Sequence, residues 1–363
     1  MASPVKTYRG NRASDVDAMF NEIARSLDAR SEDESNESTN RGLLEDKQVV
    51  EPLSELIGID PSVYRQINAA LKAGSRHIMF YGPPGTGKTT IAQRVAGEIS
   101  EQWKLITGSS DFTSQDVLGG YIPLADGKLK FFPGVLLENF DRPLIFDELN
   151  RCDIDKVIGP LFSVLSGQST VLPYLSDPND PESSRVEIRP KGTSNPPASY
   201  SPSSKWMIIA TINSIDKASL YQMSYALTRR FAWIYVAEPS DADAFLREYL
   251  SRDLASEIPA TSRSPLAEVW SAINDVRPIG AAPIIDVIRY VLGEVDGFDF
   301  FAPTDEEGLS MPLLDALSVY VFPMLDGILR DESDSLRDKI ADALKLSQDA
   351  RMLLSSRLIQ LSI

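Results

Sequence analysis

Residues 82–89 read Gly82-Pro83-Pro84-Gly85-Thr86-Gly87-Lys88-Thr89, a complete fit to G-x-x-x-x-G-K-[ST]. A phosphate-binding loop demands this composition. Glycines let the backbone curl until its N–H groups converge on phosphate oxygens, where a Cβ would obstruct them. Lys88 brings a compact positive charge to the β- and γ-phosphates, and Thr89 offers a hydroxyl to Mg²⁺. A helix running from Thr90 onward turns its N-terminal dipole toward the same anion. The apolar run HIMFYG (77–82) precedes the loop, so a strand, a loop and a helix follow one another in the required order.

About 60 residues downstream lies PLIFDEL (143–149), an apolar strand ending in Asp147 and Glu148. Alone, two acids at a strand end are a solvated terminus. Paired with the loop they complete a nucleotide-hydrolysis site. Asp147 is then the second ligand of the Mg²⁺ that Thr89 touches, and Glu148 the general base that polarises the attacking water.

Working outward, short apolar runs alternate with helical segments from about residue 46. That pattern specifies an α/β fold with a parallel sheet flanked by helices. The five strand candidates are 77–82, WKLITG (103–108), 143–149, KWMIIATIN (205–213) and FAWIYVA (231–237). Three of them are nearly continuous apolar runs, as strands buried on both faces should be. Residues 119–134 carry an Asp126-Gly127 turn between apolar flanks, which predicts a hairpin. Residues 173–204 hold seven prolines. No uninterrupted core helix or strand can run through them, so they form an irregular insertion, with room for a short hairpin near Val186–Ile188. From about 239 the sequence turns helical, and there is no internal repeat. At the other end, 13–29 reads as a short amphipathic helix and the polar stretch 30–41 as a disordered linker. The expected divisions are therefore 1–45, a nucleotide-binding core at 46–238, and C-terminal helices at 239–363.

Composition narrows the chemistry. With 36 Lys and Arg against 52 Asp and Glu, the net charge over 363 residues is −16, which disfavours a surface-wide nucleic-acid or anionic-membrane binder. One cysteine, Cys152, and one histidine, His77, exclude an intramolecular disulfide and a structural zinc site. Cys152 reads as an inert small residue, and His77, at the start of its strand, as a packing residue. No apolar run approaches the ~20 residues of a membrane span, and the first residues lack the apolar core of a signal peptide. The expectation is a soluble cytoplasmic protein.

Several blocks together resemble the AAA+ NTPases, within them the McrB/MoxR-like or dynein-related branch. They are FYGPPGTGKT, SSDFTSQDVLGGY with FFPGVLLENF, LIFDELNRCDIDKVIGPLFSVLSG, IIATINSID and MSYALTRRFAWIYV, and the resemblance covers roughly 55–330. It implies a C-terminal helical lid. It also implies that Asn213 is the sensor-1 asparagine, which orients the attacking water near the γ-phosphate. Arg229 and Arg230 match the paired arginines before the fifth strand, of which one acts as an arginine finger on the neighbouring subunit's nucleotide; the two rank nearly equal. Asn150 and Arg151 stand where they contact Glu148 or the adjacent subunit. The 119–134 hairpin matches the branch's insert in the second helix, which projects toward a central pore, making Lys128 and Lys130 candidate contacts for a substrate or partner.

Two departures stand out. The lid stretch Arg277-Pro278-Ile279-Gly280-Ala281-Ala282-Pro283-Ile284 has no arginine after its glycine until Arg289, so either Arg277 substitutes for a sensor-2 arginine or that contact is missing. The segment before residue 46 is too short for the DNA-recognition domain of McrB-type motors.

The function so implied is an oligomeric motor, a ring of six subunits by resemblance. It binds and hydrolyses ATP with Mg²⁺ and remodels or translocates a partner, in a restriction, defence or chaperone system. Its effector would be encoded nearby, nucleic acid would be met only indirectly or through the pore, and no membrane is involved. Two alternatives stand beside it: a GTP-hydrolysing McrB-type subunit and a nucleotide-gated scaffold that recruits an effector. Asn213-Ser214-Ile215-Asp216 only superficially matches a guanine-reading motif, because the lysine is absent, and ATP is preferred. A small-molecule kinase is disfavoured, since no acceptor site is visible.

Overall fold

A computed structural model describes residues 50–363, apart from 55, 155–156, 158, 190–198, 215–224, 255–257, 259–260, 262 and 303–309. The expected N-terminal helix and linker, and Asp216, lie outside the described residues.

In chain order the elements begin with α1 (Pro61–Lys72), β1 (His77–Gly82), α2 (Lys88–Ile99), β2 (Lys104–Thr107), α3 (Ser114–Leu118), β3 (Gly119–Pro123), β4 (Leu129–Pro133), α4 (Val135–Glu138) and β5 (Leu144–Asp147). A 3₁₀ turn, Leu149–Arg151, comes next, then α5 (Phe162–Leu165), β6 (Thr170–Leu175), β7 (Arg185–Ile188), β8 (Ser199–Tyr200), β9 (Ile208–Asn213), α6 (Tyr225–Thr228) and β10 (Ala232–Tyr235). The C-terminal part is helical: α7 (Ala242–Leu254), α8 (Pro265–Val276), α9 (Ala281–Glu294), α10 (Ser310–Tyr320), α11 (Arg330–Ala343) and α12 (Gln348–Ile359).

Five strands form one sheet in the order β10-β1-β9-β5-β2. Every pairing in it is parallel. All five expected strands are present, each at or inside its expected bounds. Alternate side chains serve opposite faces, as the two-residue period of a strand requires. Ile78, Phe80, Ile145 and Ile209 pack with Ile91 and Val95 of α2 on one face. Met79, Phe146, Ile208, Ala210 and Ile212 pack with Leu136, Leu161 and Trp206 on the other. A separate apolar core, built around Trp270, Ile284, Leu317 and Leu354, holds α7 to α12 together.

The hairpin is present as expected, and the 173–204 insertion is more regular than its prolines suggest. β3 and β4 form the antiparallel hairpin, closed by Leu124 N–H to the carbonyl of Lys128. The 173–204 insertion contributes a small three-stranded sheet, β6-β7-β8. The two inserts are bonded to each other: Leu129 donates its N–H to Asn179 Oδ1 while Asn179 Nδ2 donates to the Leu129 carbonyl, and Leu175 N–H donates to the Tyr121 hydroxyl. Rings of Tyr121, Phe131 and Tyr174 pack edge-on and tilted beneath those bonds. Among the described residues, no helix is long and apolar enough to cross a membrane.

His77 is 2% exposed, and its Nδ1 accepts the Ile208 N–H at 3.0 Å. Its ring stands between Trp206 and Phe231. It is a packing residue, as expected. Burial, with a smaller push from Arg76, lowers its pKa from 6.5 to about 3. The unfolded chain therefore binds a proton below about pH 6.5 that the folded chain refuses, and stability is lost as pH falls from 6.5 toward 3. Between pH 7 and 5.5 this group alone should cost about 1 kcal/mol, or roughly 2 °C in Tm. The acid-induced drop in Tm, measured by calorimetry at the two pH values, should shrink by that amount in His77→Phe. An unchanged drop would refute the account.

Candidate nucleotide site

The site is built at the C-terminal edge of the sheet. β1 ends in Gly82, and the register sets Gly82 directly beside Asn213 of β9. A Cβ on Gly82 would lie 2.1 Å from the Val236 carbonyl oxygen, so only glycine lets the chain leave the sheet here. Gly85 and Gly87 continue the turn at positive φ, 76° and 83°. The Thr86 hydroxyl donates to the Pro83 carbonyl at 3.1 Å and is buried with the loop.

Lys88 opens α2 and points back under the loop. Its Nζ donates to the carbonyls of Gly82 and Pro83 at 3.1 and 2.5 Å. Burial lowers its pKa to about 8, against the opposing pull of Asp147 and Glu148. It is a cation held in a poorly solvated place, where an anionic phosphate relieves the penalty.

Thr89, the next residue of α2, donates its hydroxyl to Asp147 Oδ1 at 2.6 Å. The same oxygen accepts from Thr211 of β9 at 2.7 Å. Thr211 Oγ1 in turn accepts the Glu148 N–H at 2.9 Å. A hydroxyl and a carboxylate brought to hydrogen-bond distance are an oxygen donor set suited to Mg²⁺, a hard cation that usually keeps several waters and takes one or two carboxylates. The residues present thus fit the metal that the motif implies.

Glu148 has φ 51° and ψ 46°, in the left-handed region where a non-glycine residue is strained. Its carboxylate is engaged at both oxygens. Arg151 Nε lies 2.7 Å from Oε2, and Asn213 Nδ2 donates to Oε1 at 3.4 Å. Asn150 is buried, and its Oδ1 accepts the Asn213 N–H at 3.3 Å. The expected set of Lys88, Thr89, Asp147, Glu148 and Asn213 is thus brought together. Thr211 and the role of Asn150 were not expected. A threonine inside an apolar strand carries no signal until β9 lies beside β5, and the same pairing turns Asn150, expected to contact Glu148 or a neighbour, toward the Asn213 backbone.

The two arginines part company. Arg230 Nε donates to the Phe162 carbonyl at 3.0 Å and to Ser166 Oγ at 2.8 Å, and its guanidinium stands 5.2 Å above the Phe162 ring. Burial, then the charge of Arg229, lowers its pKa. Arg229 is exposed, and its side chain makes no hydrogen bond or ion pair among the described residues.

Arg277, the candidate for a lid arginine, is bonded within the helical part. Its Nη1 donates to the carbonyls of Met324 and Asp326, inside the helical part. The lid meets the loop through backbone: Gly280 N–H donates to the Pro84 carbonyl at 2.8 Å and Ala282 N–H to the Gly85 carbonyl at 3.0 Å. Elsewhere, Cys152 is buried and its thiol pKa pushed up by burial, as suits an inert residue. Lys130 Nζ sits 5.5 Å above the exposed Phe132 ring on the hairpin.

A Cβ on Gly280 would fall 2.3 Å from the Gly85 backbone, whereas one on Gly293, in the same helix, meets nothing within 4 Å. Gly280→Ala should therefore push α9 off the loop and weaken nucleotide binding at least about tenfold, the equivalent of about 1.4 kcal/mol. Gly293→Ala should leave binding alone and raise stability by about 0.5 kcal/mol or more. Nucleotide titration of both variants decides it, and equal affinities would refute the contact.

Residues 77–231 match the family model of the AAA domain, dynein-related subfamily. The EcoKMcrB subunit of the type IV methyl-directed restriction enzyme of Escherichia coli K12 is 28% identical over 194 residues, 49% of this chain and 39% of that protein. The RuvB subunit of the Holliday junction branch migration complex of Prochlorococcus marinus MIT 9301 is 29% identical over 104 residues, 28% of each chain. A solved RuvB of Thermotoga maritima covers 82% of this chain at 15% identity, with a TM-score of 0.40. The chain spans well under half the length of these two curated relatives. The phosphate loop, the parallel sheet and the family match agree: residues 77–231 form an AAA domain similar to those of the dynein-related subfamily, with the fold of an AAA+ ATPase.

Proposed function

We propose that the protein is a ring-forming motor, of six subunits, that binds ATP with Mg²⁺ and uses hydrolysis to remodel or translocate a partner. The observation that carries this reading is the convergence of Thr89, Asp147, Glu148 and Asn213 around one point below the phosphate loop.

The division of labour follows from the groups. The loop 82–87 cradles the phosphates with its N–H groups, and Lys88 neutralises them. Thr90 lies in the first turn of α2, whose N-terminus faces the same anion. Thr89 and Asp147 would hold Mg²⁺, which would supply positive charge to neutralise the phosphates. Glu148 Oε1 and the Asn213 amide meet at 3.4 Å, and a water that replaces this contact is oriented by Asn213 and deprotonated by Glu148. Arg229 is the finger: it is exposed and makes no side-chain hydrogen bond or ion pair among the described residues, which suits a residue acting on a neighbour's nucleotide. Arg230 is the structural partner, fixed on Phe162 and Ser166. A finger acting between subunits makes the isolated chain a poor enzyme and the ring an active one.

The hairpin supports the choice of a motor. Ile122 and Phe132 are 49% and 37% exposed beside Lys130, an apolar and cationic surface on an otherwise acidic protein. We read it as the contact for the partner, with an effector protein encoded nearby.

Lys88→Ala should abolish nucleotide binding, and Glu148→Gln should bind and not turn over. Arg229→Ala should bind normally and lose at least ~10²-fold in turnover, while Arg230→Ala should lose thermal stability as well. Mixing Arg229→Ala with Lys88→Ala subunits should restore activity, because some interfaces then pair an intact loop with an intact finger. No rescue despite proven subunit exchange would refute the trans assignment. A monomer with and without a non-hydrolysable ATP analogue, by native mass measurement, would refute the ring.

A further inference from the structure

We infer that Arg151 is a positioning residue for hydrolysis: in its own subunit it fixes the Glu148 carboxylate so that one oxygen is presented to the attacking water. The inference rests on the reading of Glu148 as the general base.

The local fold is arranged for this contact. β5 ends at Asp147, and Glu148 takes the left-handed conformation that reverses the chain. The 3₁₀ turn Leu149–Arg151 follows, closed by the Arg151 N–H on the Glu148 carbonyl at 3.0 Å. A turn of three residues per revolution eclipses positions i and i+3, which sets the Arg151 side chain over that of Glu148. The result is the 2.7 Å contact between Arg151 Nε and Glu148 Oε2.

The two carboxylate oxygens then have different duties. Oε2 is taken by a charged donor at short distance, the strong class of hydrogen bond. Oε1 is left with the Asn213 amide at 3.4 Å, a long and weak contact that a water readily replaces. Oε1 is thus the oxygen that takes the proton, and Oε2 the anchor. Without the anchor the side chain of a strained residue is free to rotate, and Oε1 no longer holds its place opposite Asn213. The exposure of Arg151, 60% at the side chain against 27% for Glu148, does not weaken the argument. A surface ion pair adds little stability, so its removal should be read in rate rather than in folding.

The test uses the full chain with ATP and Mg²⁺. Arg151→Gln should lower kcat about 10- to 100-fold, the cost of a misplaced reacting group, with KM, nucleotide affinity and Tm unchanged. Arg151→Lys, which keeps a cation but not the fixed fork, should recover part of the loss. Mixed rings of Arg151→Gln and Glu148→Gln subunits should show no recovery, because every site lacks either the base or its anchor. Recovery on mixing would overturn the inference by showing that Arg151 serves the neighbouring site. An unchanged kcat in Arg151→Gln, or a raised KM at constant kcat, would overturn it too. Turnover by Glu148→Gln at the parental rate is the separate outcome that removes the base itself, and the inference with it.

Discussion

One carboxylate oxygen, Oδ1 of Asp147, ties the site together. It accepts hydroxyl protons from Thr89 at 2.6 Å and Thr211 at 2.7 Å, so a single atom joins the helix after the loop, the acidic strand and the central strand beside it. Hydrogen bonds to a charged acceptor contribute about 1.5–3 kcal/mol each, more than most surface contacts in the molecule. Their geometric effect is larger than their energy. Thr211 is 2% exposed inside the sheet, so its hydroxyl cannot move, and the oxygen it holds cannot move either. Through its second contact the same hydroxyl fixes the Glu148 N–H, and with it the start of that strained residue. The loop and the acidic strand end are thereby held in one register before any nucleotide arrives.

The lid adds a second constraint of a different kind. A guanidinium reaching from a lid contacts phosphate through a long flexible side chain. Here the contact is backbone to backbone, Gly280 and Ala282 on Pro84 and Gly85, with no space for a side chain at position 280. The arrangement ties α9 directly to the phosphate loop. Lid position and loop shape are then one variable. Any rotation of α9 must break two hydrogen bonds to carbonyls of the loop. Arg277, bonded to Met324 and Asp326, instead braces the lid internally.

What was legible in the sequence was what depends on neighbours along the chain. The phosphate loop, the Asp147-Glu148 pair and the five apolar strands are each contained in a short window, and each appears where its residues place it. The Asp126-Gly127 turn is equally local, and the hairpin forms around it. Thr211 was invisible, and Asn150 was noticed but not its bond to Asn213, because both depend on which strand lies alongside, and a parallel sheet decides that through crossovers many residues long. The order β10-β1-β9-β5-β2 sets Asn213 beside Gly82, a pairing of residues 131 positions apart. Arg229 and Arg230 are adjacent and chemically identical, so only the tertiary position of Phe162 and Ser166 separates them. The small sheet in the 173–204 insertion was obscured by prolines. Among the described residues, Pro178 and Pro181 fall between β6 and β7, where they cost no ladder hydrogen bond.

That insertion also connects two surfaces that seem unrelated in sequence. Arg230 is held by Phe162 and Ser166, at the two ends of the short stretch that includes α5, and β6 begins at Thr170, four residues beyond Ser166. At its other end β6 is gripped by the hairpin, through the Tyr121 hydroxyl on the Leu175 backbone, and Asn179 clamps Leu129 just beyond. A partner that displaces the exposed hairpin therefore has two physical outcomes available. It must break these hydrogen bonds and unstack Tyr121 from Tyr174, or it must carry β6 with it. In the second case the movement reaches residues covalently next to those that hold Arg230, and hence the position from which Arg229 projects.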